Sequence, residues 1–166
     1  MSECIKTERL LLRPYKTADA EVIAALIAAW DVARWLPRVP YPYAQADAEA
    51  FIARHLDDPN AFTITCDGHV TGGCAIHDEL GYWLGTPFWG QGYATEAATG
   101  LVARYMSQGH DVLLSGHQIG NAASRHVLNK LGFLPKEIAD VHSLSHGKPV
   151  QVQKMALTAQ GWQARS

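Results

Sequence analysis

The chain has 166 residues, 48% of them hydrophobic and 18% charged, with a formal net charge of −2. That length fits one domain, residues 1–166, able to bury a full core without disulfide or metal staples. The missing basic excess excludes a protein that works by neutralising the phosphates of a nucleic acid.

The N-terminal MSECIKTERL carries no apolar stretch of the kind a signal peptide needs. The longest apolar run, VIAALIAAW (22–30), is about half of the ~20 residues a membrane span requires. Cys4, Cys66 and Cys74 stand at irregular spacing, without a CxxC pair or a metal pattern. They read as free thiols of a reducing compartment. The expectation is a soluble cytoplasmic protein with neither membrane nor nucleic-acid partners.

TERLLLRPY (7–15) is Leu-rich, is stopped by Pro14 and reads as a strand. Thr17 or Asp19 can cap a helix over 18–29, where Val22, Ile23, Leu26, Ile27 and Trp30 recur at helical spacing. RWLPRVPYPY (34–43) holds three prolines and reads as a loop. Ala48, Phe51, Ile52, His55 and Leu56 mark a second helix over 45–56, ended by DDPN. AFTITCD, a DGH turn, VTGGCAIHD and ELGYWLG read as an antiparallel meander. A helix over 93–106 puts Ala94, Ala97, Leu101 and Tyr105 on one face, and DVLLSGHQ (111–118) is a fifth strand.

NAASRHVLNKLGF reads as a short helix with Asn121 as N-cap. Gly132 stands at the left-handed position past its end, and Phe133 folds back on Leu128. Residues 137–146 carry few strong signals and read as a mobile loop or a ragged strand. KPVQVQKMALT (148–158) is the last strand. The order β-α-α-β-β-β-α-β-α-β describes a mixed α/β sheet.

The stretch GYWLGTPFWGQGYATEA (81–97) places Gly90 and Gly92 just before a helix. A helix N-terminus offers unpaired N–H groups and a partial positive charge, and glycines let a phosphate come close. The turn therefore reads as a main-chain phosphate cradle over 91–95. A tight βα turn that binds nothing uses the same residues. A Walker A loop is excluded because no Gly-Lys-[Ser/Thr] follows. Tyr-Ala-Thr after Gly92 argues against a dinucleotide-binding fingerprint.

The whole chain resembles the GNAT superfamily of N-acetyltransferases, in the branch of the ribosomal-protein N-terminal acetyltransferases (RimJ/RimL-like). The family's [Arg/Gln]-x-x-Gly-x-[Gly/Ala] motif falls on Trp89-Gly90-Gln91-Gly92-Tyr93-Ala94, with Trp89 in the first position. TERLLLRPY, GYWLG, NAASRHVLNKLGF and KPVQVQKMALT match the branch in order. The resemblance implies an α/β (α+β) GNAT fold: a mixed, mostly antiparallel sheet with splayed central strands and helices on both faces.

It also implies acetyl-CoA as the acyl donor. Trp83 and Leu84 would then offer main-chain groups to the pantetheine arm. Gly90, Gln91, Gly92, Tyr93, Ala94 and Thr95 would hold the pyrophosphate, with Asn121 and Ser124 near the thioester and Arg125 and Lys130 near the outer phosphates. Where many relatives carry a tyrosine acid, this chain has Leu128. The branch places a serine one turn earlier, here Ser124, to steady the leaving thiolate. Asn121 and Ser124 have an alternative reading as helix caps.

The reaction needs a neutral amine. An α-amine, with pKa about 7.7–8.0, loses its proton more easily than a lysine amine near 10.4. Glu79, Asp78, His77 and His117 stand at strand ends where a base would work, Glu79 first and His117 second. The loop 30–43 reads as the acceptor wall, through Trp30, Arg34, Trp35 and Tyr41, with Arg38 able to meet a carboxylate. His142 and His146 are four residues apart, but no helical pattern supports a metal site.

The expected activity is transfer of an acetyl group by direct attack of an amine, either a protein N-terminus or a small molecule. Pairing into a homodimer is an open reading. The alternative is a non-catalytic acyl-CoA-binding module, a sensor or partner subunit.

Overall fold

The computed structural model describes residues 3–165. Strands β1 (Ile5–Lys6) and β2 (Leu11–Arg13) pair as an antiparallel hairpin, with Lys6 opposite Leu11. The single strand expected over 7–15 is thus interrupted. Thr7 donates its N–H to the Leu10 carbonyl, and Glu96 accepts from the Thr7 hydroxyl and the Arg9 N–H, both at 2.6 Å. A turn pinned by a distant carboxylate leaves no local strand-breaking residue to read.

Helix α1 (Ala20–Ile27) follows a 3-10 turn, and α2 (Trp30–Ala33) follows at once. Asp19 does not cap α1. Its carboxylate turns inward and accepts from both Arg13 Nη atoms at 2.9 and 2.8 Å and from the Thr63 hydroxyl at 3.2 Å. The proline-rich segment, which includes a cis Tyr41–Pro42 peptide, leads to α3 (Gln45–His55).

The meander is β3 (Ala61–Cys66), β4 (His69–Ile76) and β5 (Leu80–Leu84). Asp67 and Gly68, at φ 50 and 80°, make the left-handed pair that a two-residue hairpin favours. Then come α4 (Tyr93–Ser107), β6 (Val112–Gln118) and α5 (Ala122–Leu131). The chain continues through β7 (Leu134–Ser143) and β8 (Lys148–Thr158) to a short α6 (Ala159–Ala164).

Residues 137–146 are therefore mainly strand. A register shift between Pro135 and Ile138 makes that strand irregular. Strand β7 is an edge strand with most of its residues exposed, so its sequence lacks the apolar alternation that marks half-buried strands.

A five-stranded sheet runs β1-β2-β3-β4-β5, and a three-stranded sheet runs β6-β8-β7. Every ladder within them is antiparallel. Apolar residues fill both faces of the larger sheet. Phe62, Ile64 and Leu84 join Leu101 of α4 and Leu128 of α5 in one core. Ala61, Tyr15 and the α1–α3 residues Ile23, Val32 and Ile52 make the other. Side chains alternate across a strand, so neighbours on one strand enter different cores.

Candidate active site

The two sheets meet at one end. Glu79 and Leu114 form a parallel bridge, and the Ser115 hydroxyl donates to the Leu80 carbonyl at 2.9 Å. Beyond Leu80, no main-chain ladder joins β5 to β6 among the described residues. A groove of about 780 Å³ runs through this parting, with walls from β5, α5, the 90–95 turn and the 35–43 loop.

The β4–β5 ladder decides which groups of β5 face the parting. Gly85 N–H bonds the Thr71 carbonyl, and antiparallel main-chain groups alternate inward and outward. The groups of Tyr82 and Leu84 therefore face away from β4, as the Leu80 carbonyl does, whereas those of Trp83 face Gly73 on β4. The expected main-chain role of Trp83 is corrected on this ground. Its indole instead packs in the core beside α1–α3 and lines the groove. The Leu84 carbonyl is occupied by Trp89 Nε1 at 2.8 Å, leaving the Leu84 N–H and both main-chain groups of Tyr82.

The turn ahead of α4 has Gly90 at φ 75° and Gly92, the N-cap, at φ 79°. Both angles lie in the left-handed region that disfavours other residues. Glu96 N–H closes the first helical bond to Gly92 O, so the N–H groups from Gly92 to Thr95 precede any intrahelical partner. Gly90, Gly92, Tyr93, Ala94 and Thr95 line the groove, whereas Gln91 does not. The Gln91 carbonyl accepts from Arg9 Nη1 at 2.8 Å instead.

Arg9 was legible only as a strand residue. Its guanidinium pairs with Glu96 at 2.7 Å and lies 4.7 Å above the Tyr93 ring, which places a cation beside the glycine turn. Burial works against ionisation of Glu96, but the Thr7 hydroxyl, the Arg9 N–H and the Arg9 guanidinium outweigh it and hold the carboxyl below its usual range.

Across the groove, Asn121 caps α5 by accepting from the Ser124 N–H at 3.2 Å. The Ser124 hydroxyl is not a cap. It lies 2.8 Å from the Tyr82 hydroxyl, a partner the sequence does not reveal. Burial pushes the Tyr82 phenol up to about 12, partly offset by the Ser124 bond. Leu128 is fully buried in the core.

Glu79 lines the groove, and one of its carboxylate oxygens accepts from Lys154 Nζ at 2.8 Å. Asp78 and His77 line it too. His117 does not fit the role expected of it. It is buried, its Nδ1 lies 3.3 Å from the Gln118 carbonyl, and Gly116 forms that part of the wall.

Of the four acceptor-wall residues expected, only Trp35 lines the groove, joined by Arg38 and Tyr43. Trp30 packs edge-on against Tyr41 and His146, with ring centroids 4.8 and 5.0 Å apart. Arg34 lies over Trp35 at 4.4 Å, and its carbonyl bonds His146 Nε2 at 2.9 Å. Trp30, Arg34 and Tyr41 thus tie the loop to the 144–147 turn behind the wall. His146 serves this packing.

Parted strands, a glycine turn at a helix N-terminus and a hydroxyl pair facing one groove define a domain that can hold an acyl thioester against a nucleophile. Residues 9–134 match the family model described as the acetyltransferase (GNAT) domain. The chain belongs to this family, whose members use acetyl-CoA, and it is an acetyl-CoA-dependent N-acetyltransferase.

A GNAT-family acetyltransferase from Bacillus anthracis is similar in fold, with a TM-score of 0.83 and 20% identity over 95% of this chain and 99% of the other. RimL, a ribosomal L7/L12 alpha-N-protein acetyltransferase solved in complex with coenzyme A, gives a TM-score of 0.78 and 20% identity over 94% and 98%. An acetyltransferase from Salmonella typhimurium that modifies the N-terminal serine of ribosomal protein L7/L12 gives 0.78 and 19% over 94% and 99%. No curated protein matches the sequence significantly. No helix among the described residues is long and apolar enough to cross a membrane.

Proposed function

We propose that this chain, acting as one cytoplasmic domain, acetylates an α-amine, either of a protein N-terminus or of a small molecule. The carrying observation is the groove that crosses the β5–β6 parting. It brings the glycine turn and Ser124 together with a wall from the opposite face of the sheet. The likeness to RimL supports a protein N-terminus as the first acceptor to test.

The residues present fit coenzyme A. The uncapped N–H groups at Gly92–Thr95 suit its pyrophosphate, and Arg9 adds a neighbouring cation. The outward N–H of Leu84 and main-chain groups of Tyr82 suit the amides of its pantetheine arm. When bound, acetyl-CoA supplies an acyl thioester.

The chain's own groups do the rest. The free oxygen of Glu79 accepts the amine proton, directly or through a water. An α-amine gives that proton up near neutral pH, so a single carboxylate suffices. Either hydroxyl of the Tyr82–Ser124 pair can donate. With the phenol, kept protonated by burial, as the donor, the serine proton is free to meet the sulfur that leaves. Trp35, Trp83 and Tyr43 exclude water around the attacking nitrogen.

Thiol release measured with N-terminal peptides, free amino acids and polyamines tests the proposal. Turnover of α-amines with little of ε-amines is expected. Tight acetyl-CoA binding without turnover on any amine would overturn it.

A further inference from the structure

His55 ends α3, Asp58 sits in the turn that follows, and His77 begins the turn between β4 and β5. One ligand atom from each lies within 4.8 Å of the others. We infer that these three side chains form a binding site for a single borderline divalent cation of the zinc class, at the edge of the transfer groove.

The carrying observation is the orientation of the His55 ring. Its Nδ1 lies 2.7 Å from the Phe51 carbonyl. A carbonyl only accepts, so Nδ1 carries the proton and donates it. In the neutral ring, Nε2 is then an unprotonated lone pair. That lone pair faces the Asp58 carboxylate at 4.0 Å. In that tautomer the His55 lone pair and the Asp58 carboxylate face each other without a bond between them, and a cation placed there joins them. The Nδ1–H bond to a carbonyl is the outer contact that fixes ring and tautomer in metal-ligating histidines.

The ring is held from its faces as well. Phe51 stacks on it at a centroid distance of 4.3 Å, and Tyr15 approaches at 6.5 Å. The other Asp58 oxygen accepts from the Asn60 N–H at 2.9 Å, so the carboxylate is positioned too. His77 Nε2 lies 2.6 Å from Asp58 Oδ2 and donates to it. Binding moves that proton from Nε2 to Nδ1, the other tautomer of the same neutral ring, and puts the metal bond in its place.

Two imidazoles and a carboxylate suit zinc, cobalt(II) or nickel(II). Tetrahedral ligands at about 2.0–2.1 Å stand roughly 3.3 Å apart. The His55–Asp58 pair at 4.0 Å must therefore close, the His77–Asp58 pair at 2.6 Å must open, and the two rings, whose ligand atoms lie within 4.8 Å, must draw together. His77 is the most exposed of the three, so water can complete the shell from that side. A bound ion would staple α3 to the β4–β5 turn, where His77 itself and the next residues, Asp78 and Glu79, line the groove.

The test uses the full chain stripped with chelator, in a Cys4→Ser background that removes the exposed thiol. Zinc is titrated calorimetrically, and cobalt(II) is followed by its visible absorption. The site predicts one equivalent bound and a raised melting temperature. His55→Ala and Asp58→Asn should each weaken binding at least tenfold while leaving coenzyme A affinity unchanged.

If His55→Ala fails to fold because its ring packs on Phe51, Asp58→Asn and His77→Gln decide alone. Uptake unchanged in these variants, or no uptake at 100 µM metal (about the weakest binding worth calling a site), overturns the inference.

Discussion

Replacing Ser124 by alanine and Tyr82 by phenylalanine, singly and together, tests the chemistry most directly. Ser124 Oγ and the Tyr82 hydroxyl are 2.8 Å apart in the groove wall. A hydrogen bond to a developing thiolate is a bond to a charged group, worth about 1.5–3 kcal/mol. At 1.36 kcal/mol per tenfold, Ser124→Ala should lower kcat roughly 10- to 150-fold. Tyr82→Phe removes a neutral bond one step back, worth about 0.5–1.5 kcal/mol, or roughly 2- to 12-fold.

If Tyr82 acts through Ser124, its substitution costs less than about twofold once Ser124 is alanine, because nothing remains for the phenol to assist. Binding of acetyl-CoA should change little in all three variants, since the bond to sulfur gains its strength only as the thiolate develops. The assay is thiol release at saturating substrates, with melting temperatures to check the fold. Full losses that simply add would refute the relay. A Ser124→Ala enzyme within twofold of the wild type would refute the role of the serine itself.

Gly92→Ala forces a side chain into φ 79° and brings a Cβ within 3.3 Å of Arg9 Nη2. The left-handed penalty of about 1–2 kcal/mol should lower stability and weaken coenzyme A binding several-fold, read by calorimetry. Gly73→Ala would place a Cβ 2.5 Å from the Tyr15 hydroxyl and 2.8 Å from Trp83 Nε1. It should raise KM for the amine while leaving coenzyme A affinity close to its original value.

Burial disfavours the charge on Asp19, but Arg13, the Lys16 N–H and Thr63 outweigh it and hold the carboxyl low. Its contribution is therefore complete above the unfolded range near 4 and is lost as pH falls below that, towards the lower folded value. Denaturant unfolding should show Asp19→Ala costing about 3 kcal/mol at pH 7, with the gap to wild type narrowing at pH 3.

The parts of the site that were legible are those with local causes. Gly90 and Gly92 announce a turn because glycine enters the left-handed region without steric cost, and Asn121 announces a helix start by the bond its side chain makes three residues on. The contacts that were not legible join residues far apart in sequence. Tyr82 meets Ser124 across 42 positions, and Arg9 meets Glu96 across 87. Strand register and hairpin placement create these pairs, and neither leaves a mark at the residues themselves. The same holds for His117. A strand-end histidine reads as a base until the burial pattern of β6, in which Leu113, Ser115 and His117 are all buried, turns it inward.

Alternation along β5 also separates two demands on the enzyme. Tyr82 and Leu84 send their side chains into the core shared with α4 and α5, the helices that carry the glycine turn and Ser124. Trp83, between them, sends its indole to the face of α1–α3. Three consecutive residues thus serve opposite sides of one sheet, donor chemistry on one and acceptor shape on the other. Changes in the 35–43 loop can reshape the amine wall without moving the hydroxyl pair, because no side chain of that loop packs in the α4–α5 core. A substitution such as Arg38→Ala should therefore alter which amine is accepted and leave acetyl-CoA affinity intact. A one-residue slip of β5 would exchange the two faces and abolish both functions together.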